Sequence, residues 1–427
     1  MTENVAPSRR SLLAGAALSA PLAATVALSP AEAHAAPSAR AGRPKAPVVG
    51  GAPASLAVGW HLLTESAVAA AAFPEPITQS RTWAVSWLAA ARATKGQKGP
   101  YASAAFVQAL HDTLVSLVPT QQQALDTALA ASLATIADGA AKSQGIAAGT
   151  AAATAVLAER QGDGTDTASV NTAYTPPAPA PGVWQLTPPT NRPAVRAGQA
   201  NAKPFLLASN DQFDPGPPPA LDSAVYLRDL AETRTLGRKE AQRTPEQYSV
   251  AKFWYPGITG FSAQITRQLL ISQPAASLSR LARLVATLHV TSVDAQIHLA
   301  KTKYQYLFWR PFTAITTGAT DQDPTWTSLE NAPQHPEYPS GHTLQAGAQQ
   351  VVLEELLGRR SPVTVALTSA NLPGQARLYD DWSVLTHDVI DARVLEGVHF
   401  RNSDRVGARL GKRVARYGLS RLSTIGL

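Results

Sequence analysis

Three stretches decide how this chain reads: Lys303-Tyr-Gln-Tyr-Leu-Phe-Trp-Arg310-Pro311, Pro339-Ser340-Gly341-His342 and Arg393-Val-Leu-Glu-Gly-Val-His399. Together they hold three cations, a small hydroxyl, a flexible backbone turn and two imidazoles, a set that suits one tetrahedral oxyanion. In the first, Lys303 and Arg310 are seven residues apart, two helical turns, which predicts a shared helix face. Pro311 disfavours helical geometry at Arg310 and predicts that the helix stops there. Two cations stacked on one face repel unless an anion lies between them. A solvated basic face is the ordinary fate of such residues. Here, however, Tyr304, Tyr306, Leu307, Phe308 and Trp309 fill the interval and predict burial, where a charge needs a partner.

The second stretch reads as a helix start ahead of Thr343–Leu357. Ser340 offers a hydroxyl, Gly341 lets the backbone approach closely, and free amides at a helix N-terminus attract anions. Taken alone, four residues fit an ordinary N-cap beside a bystander histidine equally well. In the third, Arg393 and His399 are six apart and do not share a helix face. Gly397 lies between them and is a poor helix residue. Arg393 is therefore expected on a helix and His399 at or past its end, with Asn402-Ser403-Asp404 opening the last helix.

In this order the motifs match K-x6-R-P, P-S-G-H and S-R-x5-H, except that Ala392 stands where the pattern has serine. The chain resembles the superfamily of vanadium-dependent haloperoxidases and type 2 phosphatidic acid phosphatases. Its wider strings Trp309-Arg-Pro-Phe-Thr-Ala-Ile315, His335-Pro-Glu-Tyr-Pro-Ser-Gly-His342 and Gly397-Val-His-Phe-Arg401 look most like the soluble bacterial haloperoxidase branch. The resemblance runs from about residue 220 to the C-terminus. It implies an all-α fold of two helical bundles and a vanadate cofactor, whose site phosphate can also occupy. Lys303, Arg310, Ser340, Gly341, His342 and Arg393 would cradle the oxyanion, and His399 would bind the metal. His342 would act as acid-base, and Lys303 would polarise peroxide. The implied reaction oxidises halide with hydrogen peroxide to hypohalous acid. The alternative is an acid phosphatase hydrolysing phosphate monoesters, with His399 as nucleophile and His342 protonating the leaving group. His335, seven before His342, is the halide-pocket candidate. Chloride-oxidising fungal members resemble one another in carrying an aromatic there, and a tryptophan at the position of Ala300, so bromide is favoured over chloride. Asp294, Asp388 and Asp391 are the carboxylates expected to orient Arg393 or His342.

Composition bounds the rest. The 427 residues are 45% hydrophobic and 16% charged, enough for a large core, and alanine abundance predicts mostly helix. A net charge of +7 favours small anions, and no basic run with interleaved aromatics suggests nucleic acid. With no cysteine and Met1 the sole methionine, disulfides and thiolate chemistry are excluded. A chain trimmed at its start would hold no sulfur, the element most readily oxidised in side chains.

Ser8-Arg9-Arg10-Ser11-Leu12-Leu13, an apolar stretch and the sites Ala31-Glu32-Ala33 and Ala33-His34-Ala35 read as a twin-arginine export signal over 1–35, implying a secreted protein with no membrane span after cleavage. Residues 36–160 are expected to form an N-terminal helical bundle, 161–220 a Pro-rich irregular crossover, and 221–427 a C-terminal bundle carrying the vanadate or phosphate site. Helices are expected at about 54–72, 79–93, 102–118, 121–137, 140–160, 223–237, 246–254, 260–272 and 277–309, the last broken near Val290. Thr120-Gln-Gln-Gln123 and Thr244-Pro-Glu-Gln247 look like capping boxes. Trp83 and Trp87, four apart, should share a buried face. Partners beyond peroxide and halide, namely an organic molecule to be halogenated or a second copy of the chain, are left open.

Overall fold

The computed structural model describes residues 53–427, so the export-signal reading falls outside the described residues. The first helices are α1 (Pro53–Ala71), α2 (Pro76–Thr94), α3 (Gly99–Leu117), α4 (Gln122–Ala134) and α5 (Ala140–Glu159). A largely irregular segment follows, containing the short α6 (Thr167–Val170). Next come α7 (Ala224–Leu236), α8 (Pro245–Trp254), α9 (Ile258–Ile271), α10 (Leu278–Tyr306), α11 (Pro311–Thr317) and α12 (Gly341–Leu357). An antiparallel hairpin of β1 (Arg360–Thr368) and β2 (Ala376–Asp381) precedes α13 (Trp382–Leu395) and α14 (Arg401–Arg421). The protein is thus all-α, with one small sheet that the helical reading of the sequence missed.

The 29-residue α10 is the axis of the fold and spans roughly 43 Å. One of its faces puts Leu281, Val285, Val293 and Ile297 into a core shared with α1, α2 and α3. Another puts Leu284, Leu288, Ala295 and Leu299 into a core shared with α8, α9, α12 and α13. A helix that is apolar on both sides lacks a solvated stripe. That explains why its middle looked like a break and is not one. Trp83 and Trp87 are buried together as expected, with ring centroids 6.3 Å apart.

Local signals were mostly obeyed. Thr244 and Gln247 form the reciprocal capping box at α8. Thr120 does not cap: a 3-10 turn over Pro119–Gln121 intervenes, and α4 starts from Gln121 without a side-chain cap. Asp294 also differs from expectation. Its carboxylate accepts the amides of Phe205, Leu206 and Leu207 at 2.6, 2.7 and 2.9 Å, tying the proline-rich segment to α10, and it makes no hydrogen bond to Arg393 or His342.

Candidate oxyanion site

Lys303 lies in the last turn of α10, but Arg310 does not share its helix face. The helix ends at Tyr306, Leu307 caps it in the left-handed region (φ 49°), and Arg310 is the extended residue before Pro311, the first residue of α11. The two cations meet through a loop instead. Lys303 Nζ donates to the carbonyls of Pro336 and Glu337 at 2.6 and 2.8 Å. Arg310 donates to the carbonyls of His335 and Val398, both at 2.9 Å. Arg310 therefore clamps the segment before α12 to the segment before α14.

Ser340 is the N-cap of α12 and Gly341 its first residue, as the sequence predicts. The Gly341 amide is one of the helix's orphan donors. The Ser340 side chain is fully buried, yet Oγ makes no well-aligned hydrogen bond. Helix α14 presses so closely on this turn that a methyl group on Gly407 would overlap the Ser340 carbonyl. The Ser340 amide donates to the Ser403 carbonyl at 3.1 Å, fixing the turn from the same side. Arg393 is in the last turn of α13, buried, with one nitrogen on Glu396 and Nε without a partner. After α13, Gly397 (φ 77°) turns the chain against Gly237, and His399 sits in the loop before α14.

His399 Nδ1 lies 2.7 Å from Glu337 Oε1, and Nε2 lies 3.2 Å from Arg310 Nη1. Arginine can only donate, so Nε2 carries the lone pair and Nδ1 the proton given to Glu337. This hydrogen-bond assignment leaves His399 in the tautomer a metal ligand needs. Glu337 also accepts Phe400 N at 3.0 Å and Ser403 Oγ at 2.6 Å. His335 Nδ1 lies 3.0 Å from Arg310 Nη2 and 3.2 Å from the Pro336 carbonyl, so the ring is held between a donor and an acceptor.

The carboxyl groups behind the site are Glu337, Glu396 and Asp404, not those expected; Asp404 is buried against Ser340. Asp388 binds Arg377 and Tyr379, and Asp391 binds Arg401. Glu396 was findable: it is three residues after Arg393, one helical turn on. Glu337 lay inside the quoted string, but no spacing rule links it to His399, 62 residues away. Ala392 is buried and offers no hydrogen bond; Glu396 holds Arg393.

Burial, and then the neighbouring guanidinium of Arg310, depresses the Lys303 ammonium well below its usual range. Burial pushes Arg310 down to about 9, Glu337 up to about 7 and Glu396 up to about 8. Burial also drives His335, His342 and His399 well below 6.5, with Lys303 or an arginine the next cause in each case. The cations crowd one another, and an anion among them would relieve both repulsion and burial.

A cavity of about 660 Å³ opens onto these groups. Lys303, His335, Gly341, His342, Arg393 and His399 line it; buried Arg310 bonds to His335 and His399, and buried Ser340 precedes Gly341. Its lining includes Arg192 and Arg196 but no aspartate or glutamate. The unpartnered buried atoms at this end include Ser340 Oγ, Arg393 Nε and His342 Nε2, together with the acceptors Gln345 Oε1, Glu396 Oε1 and both oxygens of Asp404, which stands against Ser340. Unused donors, an available imidazole lone pair and a carboxylate-free wall fit an oxyanion such as vanadate or phosphate.

An all-α protein built on these motifs and this cationic pocket has the fold of the vanadium haloperoxidases. It is similar to the structure of the first bacterial vanadium-dependent iodoperoxidase, with a TM-score of 0.71 and 22% identity over 86% of this chain and 96% of that one. The apo and holo forms of a bacterial vanadium-dependent chloroperoxidase follow, at TM-scores of 0.65 and 0.63 and 15% identity each. They cover 81% and 90% of this chain and 93% and 95% of theirs. Residues 283–425 match the family model for the VCPO second helical-bundle domain, which takes in all three motifs. No curated protein sequence matches the chain significantly.

Proposed function

We propose that this protein is an exported vanadium-dependent haloperoxidase that oxidises halide with hydrogen peroxide to hypohalous acid, preferring bromide to chloride. The observation that carries the reading is His399: its proton is held by Glu337 and its lone pair is directed to the cationic group around Arg310. Both readings use that lone pair, as a metal ligand or as the phosphatase nucleophile, and the likeness in fold to vanadium-dependent iodo- and chloroperoxidases supports metal ligation.

The residues divide the work. His399 Nε2 would hold the vanadium, with Glu337 fixing ring and tautomer. Lys303, Arg310, Arg393, the Ser340 hydroxyl and the Gly341 amide would balance the oxygens' charge. Bound vanadate supplies a Lewis acid that activates peroxide toward halide attack. Lys303, anchored on two carbonyls, fixes positive charge where negative charge develops. His342, with Nε2 free and its imidazole held neutral by burial and Arg393, can accept a proton from incoming peroxide. The bromide preference rests on the resemblance at His335 and at the small Ala300, both of which line the cavity.

The test is incubation with orthovanadate, peroxide and bromide, following halogenation of a diketone dye. Vanadate-dependent turnover that disappears in His399→Ala is the expected result. No turnover from mildly acidic to mildly basic pH would end the proposal, and rapid vanadate-inhibited hydrolysis of a phosphate monoester would replace it with the phosphatase reading. Export through the twin-arginine route is checked by N-terminal sequencing of the protein recovered outside the cytoplasm, with cleavage expected near residue 33 or 35.

A further inference from the structure

The cavity is much larger than a tetrahedral anion, and its outer half has a chemistry of its own. Six prolines line it: Pro74, Pro76, Pro188, Pro189, Pro256 and Pro333. They offer flat, rigid apolar surface at little entropic cost, and no readily oxidised sulfur lines the wall. A volume of about 660 Å³ falls in the range that holds a small organic molecule.

Two polar groups in this half have no task in the oxyanion cradle. Arg192 is exposed at the mouth and has no carboxylate partner among the described residues, whereas Arg196 is paired with Glu75 at 2.7 Å. Gln199 is 3% exposed, and its Nε2 donates to the Gln296 carbonyl at 2.6 Å. That bond fixes the amide's orientation and identifies Oε1 as a buried acceptor without a donor. A wall with a free guanidinium at its entrance and an orphan acceptor deeper in asks for a ligand that is anionic at one end and carries an O–H or N–H at the other.

We propose that the cavity binds an electron-rich aromatic acid, its carboxylate on Arg192 and its hydroxyl donating to Gln199 Oε1, and that the protein halogenates this molecule in place. The proposal rests on the haloperoxidase reading, because the hypohalous acid comes from that reaction. In the step itself an aromatic carbon gives its electron pair to the halogen and the O–X bond breaks. The hydroxide released takes the ring proton and leaves as water. The inner cations, Lys303 and Arg393, do not compete for the carboxylate when an oxyanion occupies them. Arg192 is the cation left over.

The experiment is calorimetric titration of 4-hydroxybenzoate and of phenol into protein held in excess orthovanadate, for wild type, Arg192→Ala and Arg192→Lys. One charge-assisted hydrogen bond makes the acid bind about tenfold tighter than phenol, a margin that Arg192→Ala removes and Arg192→Lys largely restores. In mixed-substrate reactions with bromide and peroxide, wild type favours brominated acid over brominated phenol, and Arg192→Ala loses that bias. Equal affinity for the two probes, no binding of either, or an Arg192→Ala protein with wild-type selectivity overturns the assignment. Because Arg192 is a surface side chain, its loss does not threaten folding. Dye bromination in the same preparation reads the peroxidase separately. Turnover without acid binding overturns only the substrate assignment.

Discussion

Acid should loosen this fold through two histidines far from the candidate site. His289 on α10 is 1% exposed, stacks on Trp83 with centroids 5.1 Å apart, and has Nε2 without a partner. His61 on α1 packs against the other side of the same cluster and meets Thr266 at 2.7 Å. Burial alone lowers His289 from 6.5 to about 3, and burial followed by His289 lowers His61 in the same direction. The unfolded chain therefore binds protons that the folded chain refuses. Stability is complete above the unfolded value of 6.5 and is lost as pH falls toward 3. For His289 the full span corresponds to about 5 kcal/mol, of which about 2 kcal/mol is lost between pH 7 and pH 5. The perturbation is His289→Phe, which keeps a stacked ring and removes the proton site. Urea unfolding at pH 7 and pH 5 measures both proteins. Wild type should lose about 2 kcal/mol more than the variant over that interval. Carboxylates titrate in both proteins and cancel in the comparison. Equal pH dependence for wild type and His289→Phe would refute the reasoning.

Three further outcomes follow from the site. Ser340→Ala removes a buried hydroxyl that makes no well-aligned hydrogen bond and has the Asp404 carboxyl as its neighbour, so its melting temperature should change little. Its orthovanadate affinity, by titration, should fall by about tenfold or more. Gly407→Val drives a side chain into the Ser340 carbonyl, which should cost about 1–3 kcal/mol in urea unfolding and weaken orthovanadate binding together. Glu396→Ala leaves the buried Arg393 guanidinium without its hydrogen-bond partner and should cost about 1–3 kcal/mol, with an unchanged melting curve as the contrary result.

The proline-rich segment connects stability with function. Asp294 gathers three of its amides, and the same stretch supplies Pro188, Pro189, Arg192 and Gln199 to the cavity wall. A carboxylate that looked like a site residue is a staple instead. What it holds in place is the wall against which a substrate would lie.

Spacing and composition along the chain determined the helical class and most helix positions, and they named the residues that the structure gathers around one cavity. Alanine-rich composition, caps such as Thr244 and motif residues such as Ser340 and Gly341 act over a few neighbours, where spacing along the chain equals spacing in space. The sequence misled where tertiary packing overrides that equality. Lys303 and Arg310 were expected on one helix face and meet only because Leu307 ends the helix and a loop supplies carbonyls to both. The unbroken α10 and the β1–β2 hairpin depend on faces buried by distant elements. The pairing of Glu337 with His399 and the orphan acceptor of Gln199 could be decided only in three dimensions, because a buried polar atom takes whichever partner the folded interior brings within 3 Å.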